Sequence, residues 1–244
     1  MFTRAAVTLT PKCGTQSQVR EMATLKAISI RLKSVKNIQK ITKSMKMVSA
    51  AKYAKAEREL KPARSYGQGA TAFFDKAEVK QDEKAPNHLV IAMTSDRGLC
   101  GAVHTGIARA IKTALPDKPA GTNTKIVCVG DKARSILGRL FKDQILMHFS
   151  DIGKKPPTFI DAARVANEII NSGYEFDFGE MYYNTFRSVV SYKPTILPIY
   201  NLSNVGAAEK INLYDSLDED VLRSYNEFAL TSLIFFAMKG GSLQ

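Results

Sequence analysis

The chain has no tryptophan, and it has only three cysteines in 244 residues. Three cysteines cannot build a disulfide scaffold, and so few suit a reducing compartment. It also lacks any apolar run of about 18 residues, so nothing reads as a helix that crosses a bilayer. Acidic side chains are scarce in the first quarter. Residues 1–65 carry 3 Asp and Glu against 15 Lys and Arg, whereas residues 66–244 carry 20 of each. The whole net charge of +12 therefore sits at the amino-terminal end. This asymmetry describes a basic arm or helix attached to a neutral body. A hydrophobic fraction of 45% excludes a wholly disordered chain, and the length permits one or two domains with an ample core.

Residues 1–22 are basic, rich in hydroxyl side chains and almost free of acid, Glu21 being the exception. That is the composition of a mitochondrial transit peptide. A secretory signal needs a longer apolar segment than Phe2–Leu9, which Arg4 interrupts. The alternative is a disordered tail. Removal of this segment takes Cys13 with it and leaves Cys100 and Cys128, which are too far apart in sequence to suggest a metal site.

Glycine and proline are both missing from Ala23 to Leu60. Over this stretch Leu25, Ile28, Leu32, Val35, Ile38, Ile41, Met45 and Val48 recur at intervals of three and four. The pattern predicts a helix with one sustained apolar stripe of coiled-coil type. Lys26, Arg31, Lys33, Lys36, Lys40, Lys43, Lys46 and Lys52 lie between the stripe residues. Small residues follow at Ser49, Ala50, Ala51, Ala54 and Ala56, and these let another backbone approach closely. A helix from Ala23 to Lys61 is about 58 Å long. A compact chain of this size has a radius of gyration of about 18 Å. The helix is therefore expected to project and to need a partner helix. Its lysines repel one another at helical spacing unless anions neutralise them. An ordinary solvated face and a face turned toward an acidic partner both fit that charge. Pro62 is expected to end or kink the helix, with a further helical segment over Ala70–Ala77 and a polar linker over Lys80–Asn87.

The middle of the chain alternates strand and helix. His88–Thr94, Lys125–Val129 and Gln144–Phe149 read as buried strands, and Glu180–Tyr192 and Thr195–Tyr200 as two more. Val103–Ala114, Lys132–Phe141 and Asp161–Asn171 read as helices, the last opened by Thr158 or Asp161 and stopped by Gly173. This order predicts a Rossmann-like α/β domain with a mainly parallel sheet.

Motifs of chemistry are absent. There is no GxxxxGK[ST], no GxGxxG after the first strand, no HExxH and no GxSxG. His88, His104 and His148 stand far apart in sequence. Gly98-Leu99-Cys100-Gly101 sits between strand and helix, where an anion could bind. The competing reading is a tight turn with Ser95 or Asp96 capping the next helix. Cys100 could react at a helix start or could be a small buried turn residue. Asp218-Glu219-Asp220 suits the start of a helix. No catalytic, cofactor-binding or metal-binding residues are assigned, and no cofactor is expected.

Five segments carry a resemblance. KITKSMKMVSAAKYAKAERELKPAR (Lys40–Arg64), TSDRGLCGA (Thr94–Ala102), KPPTF (Lys155–Phe159), NSGYEFD (Asn171–Asp177) and FRSVVSYK (Phe186–Lys193) resemble the gamma subunits of mitochondrial ATP synthases. The likeness runs in order through residues 23–239, and ATLKAIS from Ala23 resembles a mature gamma amino terminus, consistent with cleavage after Met22. It implies the central stalk of a rotary motor, a non-catalytic rotor coupling proton-driven rotation to ATP synthesis in the beta subunits. The implied partners are the alpha and beta subunits, the delta and epsilon stalk subunits and the c ring, at the matrix side of the mitochondrial inner membrane. Lys40, Lys43, Met45, Lys46 and Lys52 match the segment that passes the acidic lever of beta. Leu213, Tyr214 and Asp215 match the foot segment facing the c ring.

The resemblance organises the chain as a transit peptide (1–22), a long basic coiled-coil helix (23–77), an α/β foot domain (88–202) and the start of a carboxy-terminal shaft helix (215–239). The family continues that last helix for several tens of residues. Here GGSLQ follows Lys239, and paired glycines read as a helix terminator, so a shortened carboxy-terminal helix is expected. The apolar stripe from Leu25 to Val48 is then left without a partner along most of its length. Two other readings stay open: a stalk variant that binds motor components without coupling, and a basic coiled-coil protein binding nucleic acid or an anionic membrane. Tyr53 is the one aromatic residue between Ala23 and Arg64, which speaks against base stacking and nucleic-acid binding.

Overall fold

The structure is a computed structural model that describes residues 24–241, apart from 83, 99, 120, 189, 190 and 216. The expected transit peptide, residues 1–22, lies outside the described residues. The chain divides into two units, one ending at Ser49 and one beginning at Ala50.

Helix α1, Leu25–Ala77, runs through both. In the first unit it is helix alone, and the eight apolar stripe residues are 53% to 86% exposed. Thr42 and Ser44 return their hydroxyls to carbonyls of the preceding turn, Thr42 to Ile38 and Ser44 to Lys40. Of the two outcomes expected at Pro62, an end or a kink, the helix does not end there but runs on to Ala77. A proline inside a helix removes one hydrogen bond and costs about 3 kcal/mol. Burial on either side opposes that cost, because Leu60 and Ala63 are both in the core.

In the second unit the strands are β1 (Asn87–Met93), β2 (Asn123–Val129), β3 (Ile145–Phe149), β4 (Phe178–Ser188) and β5 (Ser191–Ile199). They form one sheet in the order β3-β2-β1-β4-β5. The first four are parallel and β5 is antiparallel to β4. Central strand β1 pairs on both sides, with Ile91 opposite Val127 and Met181. Its side chains alternate between two covered faces. Val90 and Ala92 pack with Ile107, Ile111 and Leu137 on one face, which belongs to α2 (Val103–Ala114) and α3 (Asp131–Leu137). Leu89, Ile91 and Met93 pack on the other face with α4 (Phe159–Asn171), α6 (Glu219–Gly241) and the end of α1. Both faces are buried, so β1 reads as an unbroken apolar run.

Some boundaries differ from expectation. The run Glu180–Tyr192 is not one strand: β4 ends at Ser188, and Tyr192 pairs back with Phe186 in β5. Pro194 and Pro198 lie inside β5, tolerated because this strand forms the sheet edge. Helix α3 stops at Leu137, short of Phe141. Helix α6 starts at Glu219, not 215, and it includes Gly240 and Gly241, so the paired glycines do not stop it at Lys239. Thr158 and Asp161 together open α4 in a reciprocal capping box. A short helix α5 (Leu202–Gly206) and a single 3-10 turn (Ile211–Leu213) connect the sheet to α6.

The second half of α1 owes its place to a stripe the sequence reading did not single out. Leu60, Ala63, Gly67, Ala70, Phe74 and Ala77 alternate by three and four and are all buried. Tyr225 of α6 donates its hydroxyl to the Ala70 carbonyl, at 3.3 Å. Phe73 meets Tyr225 edge to face, with ring centres 4.9 Å apart. Glu59 and Lys239 form an ion pair at 2.8 Å between the two helices.

Candidate functional site

The residues expected to touch other subunits fall into three places. Lys40, Lys43, Met45 and Lys46 lie on the helix of the first unit and are exposed, Met45 at 60%. Lys52 belongs to the second unit. Leu213 closes the 3-10 turn at 78% exposure, and Tyr214 and Asp215 follow it, also exposed. Tyr214 is held by a ring contact with Phe73, the centroids 5.4 Å apart. The structure thus brings Leu213, Tyr214 and Asp215 together on one turn.

The segment Thr94–Ala102 takes a different role from the expected cap. Helix α2 starts at Val103, and Ala102 before it supplies no side-chain cap. Thr94 and Asp96 instead serve α3. The Asp131 amide donates to Asp96 Oδ1 at 2.6 Å, and the Ala133 amide donates to Thr94 Oγ1 at 3.2 Å. Thr94 in turn donates to the Val129 carbonyl at 2.8 Å. Two residues after β1 thereby satisfy the first amides of the helix after β2. Gly130 makes this possible. Its φ is +95°, and a Cβ there sits 2.8 Å from the backbone of Ser95. Cys100 is half-buried and donates its thiol to the Gly98 carbonyl.

The three histidines have three separate sets of partners. His104 Nε2 lies 3.2 Å from the Arg97 carbonyl and so carries the proton it donates there. His148 meets Arg134 at 2.9 Å. His88 is buried at the start of β1. Its Nε2 donates to the Ala85 carbonyl at 2.9 Å, which leaves Nδ1 to accept from Lys118 Nζ at 3.0 Å. Lys118 also pairs with Glu180 at 3.1 Å and lies over the Phe178 ring. Burial lowers the pKa of His88, and the Lys118 charge adds to it, so the imidazole stays neutral. Burial lowers the pKa of His104 in the same way. Cys128 is buried in β2, and desolvation pushes its thiol up to about 11. His88 thereby ties the start of β1 to the loop residues Ala85 and Lys118. Among the described residues no group of three or more His, Cys, Asp or Glu could hold a metal ion. No described helix is long and apolar enough to cross a membrane.

A cavity of about 290 Å³ opens at the carboxyl ends of β1 and β4. Met93, Thr94 and Ser95 line it from β1 and its loop, and Asn184 from β4. Lys52, Lys55 and Glu59 line it from α1, Gly153–Pro157 from the loop after β3, and Ala237 and Met238 from α6. Sequence reading gave no sign of this cavity, since its walls come from segments up to 186 positions apart (Lys52 to Met238).

Comparison with known proteins bears on the whole chain. A family model described as ATP synthase matches residues 24–242. The mitochondrial ATP synthase subunit gamma of Drosophila melanogaster is 61% identical over 226 residues, covering 92% of this chain and 75% of that protein. The mitochondrial F(1) complex subunit gamma of Rattus norvegicus is 54% identical over 218 residues, covering 89% and 80%. Among solved structures, a chain of the Tetrahymena thermophila mitochondrial ATP synthase central stalk and c ring superposes with a TM-score of 0.67. It is 24% identical and covers 83% of this chain and 93% of that one. A chain of the Euglena gracilis mitochondrial ATP synthase superposes with a TM-score of 0.63 at 19% identity, covering 88% and 76%. These two likenesses speak to the fold, a mainly parallel sheet joined to a long amino-terminal helix. The sequence matches reach further, and the chain belongs to the family of mitochondrial ATP synthase gamma subunits.

Proposed function

We propose that this chain is the central-stalk rotor of a mitochondrial F1Fo ATP synthase, and that it carries no catalytic site of its own. The observation that supports this best is the first stretch of α1. Its apolar stripe is exposed, its lysines flank that stripe, and the sequence relatives are gamma subunits. An exposed coiled-coil seam needs a sleeve, and a lysine-rich surface needs acidic neighbours. On this reading the alpha and beta subunits enclose the helix, and Lys40, Lys43, Met45, Lys46 and Lys52 meet acidic segments of beta. Leu213, Tyr214 and Asp215 face the c ring, and delta and epsilon stalk subunits join the same assembly on the matrix side of the inner membrane. Rotation of an asymmetric shaft then biases the beta sites through different contacts at each angle.

The test is reconstitution of the full chain with alpha and beta subunits, scored for hexamer assembly, ATP hydrolysis and rotation. Assembly with turnover is expected. Exposed ion pairs contribute up to about 1 kcal/mol each. Replacing Lys40, Lys43 and Lys46 together by Glu should therefore weaken association roughly tenfold or more, most strongly at low salt. Assembly without rotation assigns binding without coupling. Failure of the chain to associate at all overturns the proposal.

A further inference from the structure

The cavity at the carboxyl ends of β1 and β4 occupies a particular place in the topology. The connection from β1 leads to β2 on one side, and the connection from β3 returns to β4 on the other. In open α/β sheets ligands bind at such a switch point, outside the carboxyl ends of the strands. Of the residues that line this crevice, the stalk reading uses Lys52 alone.

Its chemistry is lopsided. Lys52, Lys55, Arg97, Lys154 and Lys155 contribute five cations to the lining, against one carboxylate, Glu59. Glu59 is already held by Lys239, and Lys154 engages Asp151. Lys52 and Lys155 form no salt bridge among the described residues. The floor is apolar, with Met93 and Met238 each 6% exposed and Ala237 2%. The wall after β3 is anchored, since the Asp96 amide donates to the Ile152 carbonyl at 2.9 Å. Gly153, with φ +88°, lets that loop close against Ser95.

A second observation is independent of the charge. Asn184 is 3% exposed and lines the crevice. Its Nδ2 donates to the Val103 carbonyl at 3.2 Å, while its Oδ1 is buried without a donor. A buried acceptor left unmet is costly. A carboxylate or a free phosphate group offers only acceptors and cannot by itself satisfy Asn184 Oδ1. A ligand with phosphate at one end and an amino or hydroxyl group at the other can.

We propose that the switch-point crevice binds a nucleotide-class organic phosphate. Its phosphates meet Lys52, Lys55 and Lys155, its ring rests on Met93 and Met238, and one of its N–H or O–H groups donates to Asn184. The volume is at the lower end of small-ligand pockets and suits a mononucleotide.

The experiment is calorimetric titration of the full chain with ADP, with inorganic phosphate and with a polyglutamate peptide. ADP is expected to bind at one site with a Kd of about 1 mM or tighter. Lys52→Glu and Lys155→Glu, both at exposed positions, are each expected to weaken ADP about tenfold, whereas Lys33→Glu outside the crevice leaves it unchanged. Asn184→Leu, with folding verified by circular dichroism, should weaken ADP but not inorganic phosphate. No saturable ADP binding overturns the proposal, as does binding indifferent to both lysine changes. Polyglutamate binding that depends on Lys52 and Lys155, without ADP binding, also overturns it and gives the crevice to an acidic protein segment. All three readings are taken on the chain alone, so their failure leaves the stalk reading untouched.

Discussion

Two glycines two positions apart on α1 give opposite expectations. A Cβ added at Gly67 falls 2.8 Å and 2.9 Å from ring carbons of Phe236, whereas at Gly69 nothing lies within 4 Å. Both sit inside the same helix, so replacing either by Ala recovers about 1 kcal/mol of helix propensity. At Gly69 that gain stands alone. At Gly67 it is opposed by overpacking, about 1–3 kcal/mol, because Phe236 is confined by Tyr183 at a ring distance of 5.6 Å. The two variants should therefore differ by about 1–3 kcal/mol, with Gly69→Ala above the parent and Gly67→Ala at or below it. For a chain of this size each kcal/mol moves the melting temperature by roughly 2–4 °C. Urea unfolding followed by circular dichroism on the full chain measures both. Adding Phe236→Leu to Gly67→Ala should restore part of the loss, and the double-mutant cycle isolates the clash. Equal stabilisation by both Ala variants refutes close packing of α1 on α6.

The other expectations are briefer. Lys118→Met removes the partner of Glu180 at a site where the side chains are 10% and 16% exposed. It should destabilise by about 3 kcal/mol, because it strands a carboxylate, as thermal unfolding at neutral pH can read. Cys128 is buried, with its thiol raised to about 11, while Cys100 is half-buried in a loop. Maleimide labelling of the native chain at pH 8, mapped by mass spectrometry, should mark Cys100 well before Cys128. Burial holds His88 and His104 below their ordinary pKa, so the unfolded chain binds protons that the folded chain does not. Stability should be full above about pH 6.5 and should decline as pH falls from there toward the lowered folded values. The Lys239 hydrogen bond lowers the pKa of Glu59, and bonds from Thr158 lower that of Asp161. Their contributions are present above the ordinary carboxylate range near 4 and are lost only as pH falls through the lower folded values. Unchanged unfolding midpoints between pH 7 and pH 5 contradict the histidine argument alone.

Much of the fold was legible along the chain. Helix α2 runs from Val103 to Ala114 as expected, because its apolar positions recur at helical spacing and no proline interrupts them. The buried strands β1 and β2 announced themselves as short apolar runs. The exposed stripe and lysines of the first helix were equally plain, since periodicity and charge are properties of neighbours in sequence. The misreadings arose where packing overrides a local signal. At Pro62, where an end or a kink was open, the helix runs on because Leu60 and Ala63 on either side are buried. Pro194 joined β5, ahead of the expected Thr195–Tyr200, because that strand is an edge. The role of Asp96 was misjudged because its helix begins 35 residues later, across a strand.

The amino-acid sequence by itself determined the alternation of elements, the placement of charge and the family. Each of these depends on residue identity over a few turns of chain. Only the tertiary structure decided that the small stripe from Leu60 to Ala77 faces α6, that Glu59 meets Lys239 180 residues away, and that five cations converge on one crevice with a buried unmet acceptor. Those facts depend on how distant segments are brought together by burial of both sheet faces, and no local pattern encodes which distant side chain fills a given space.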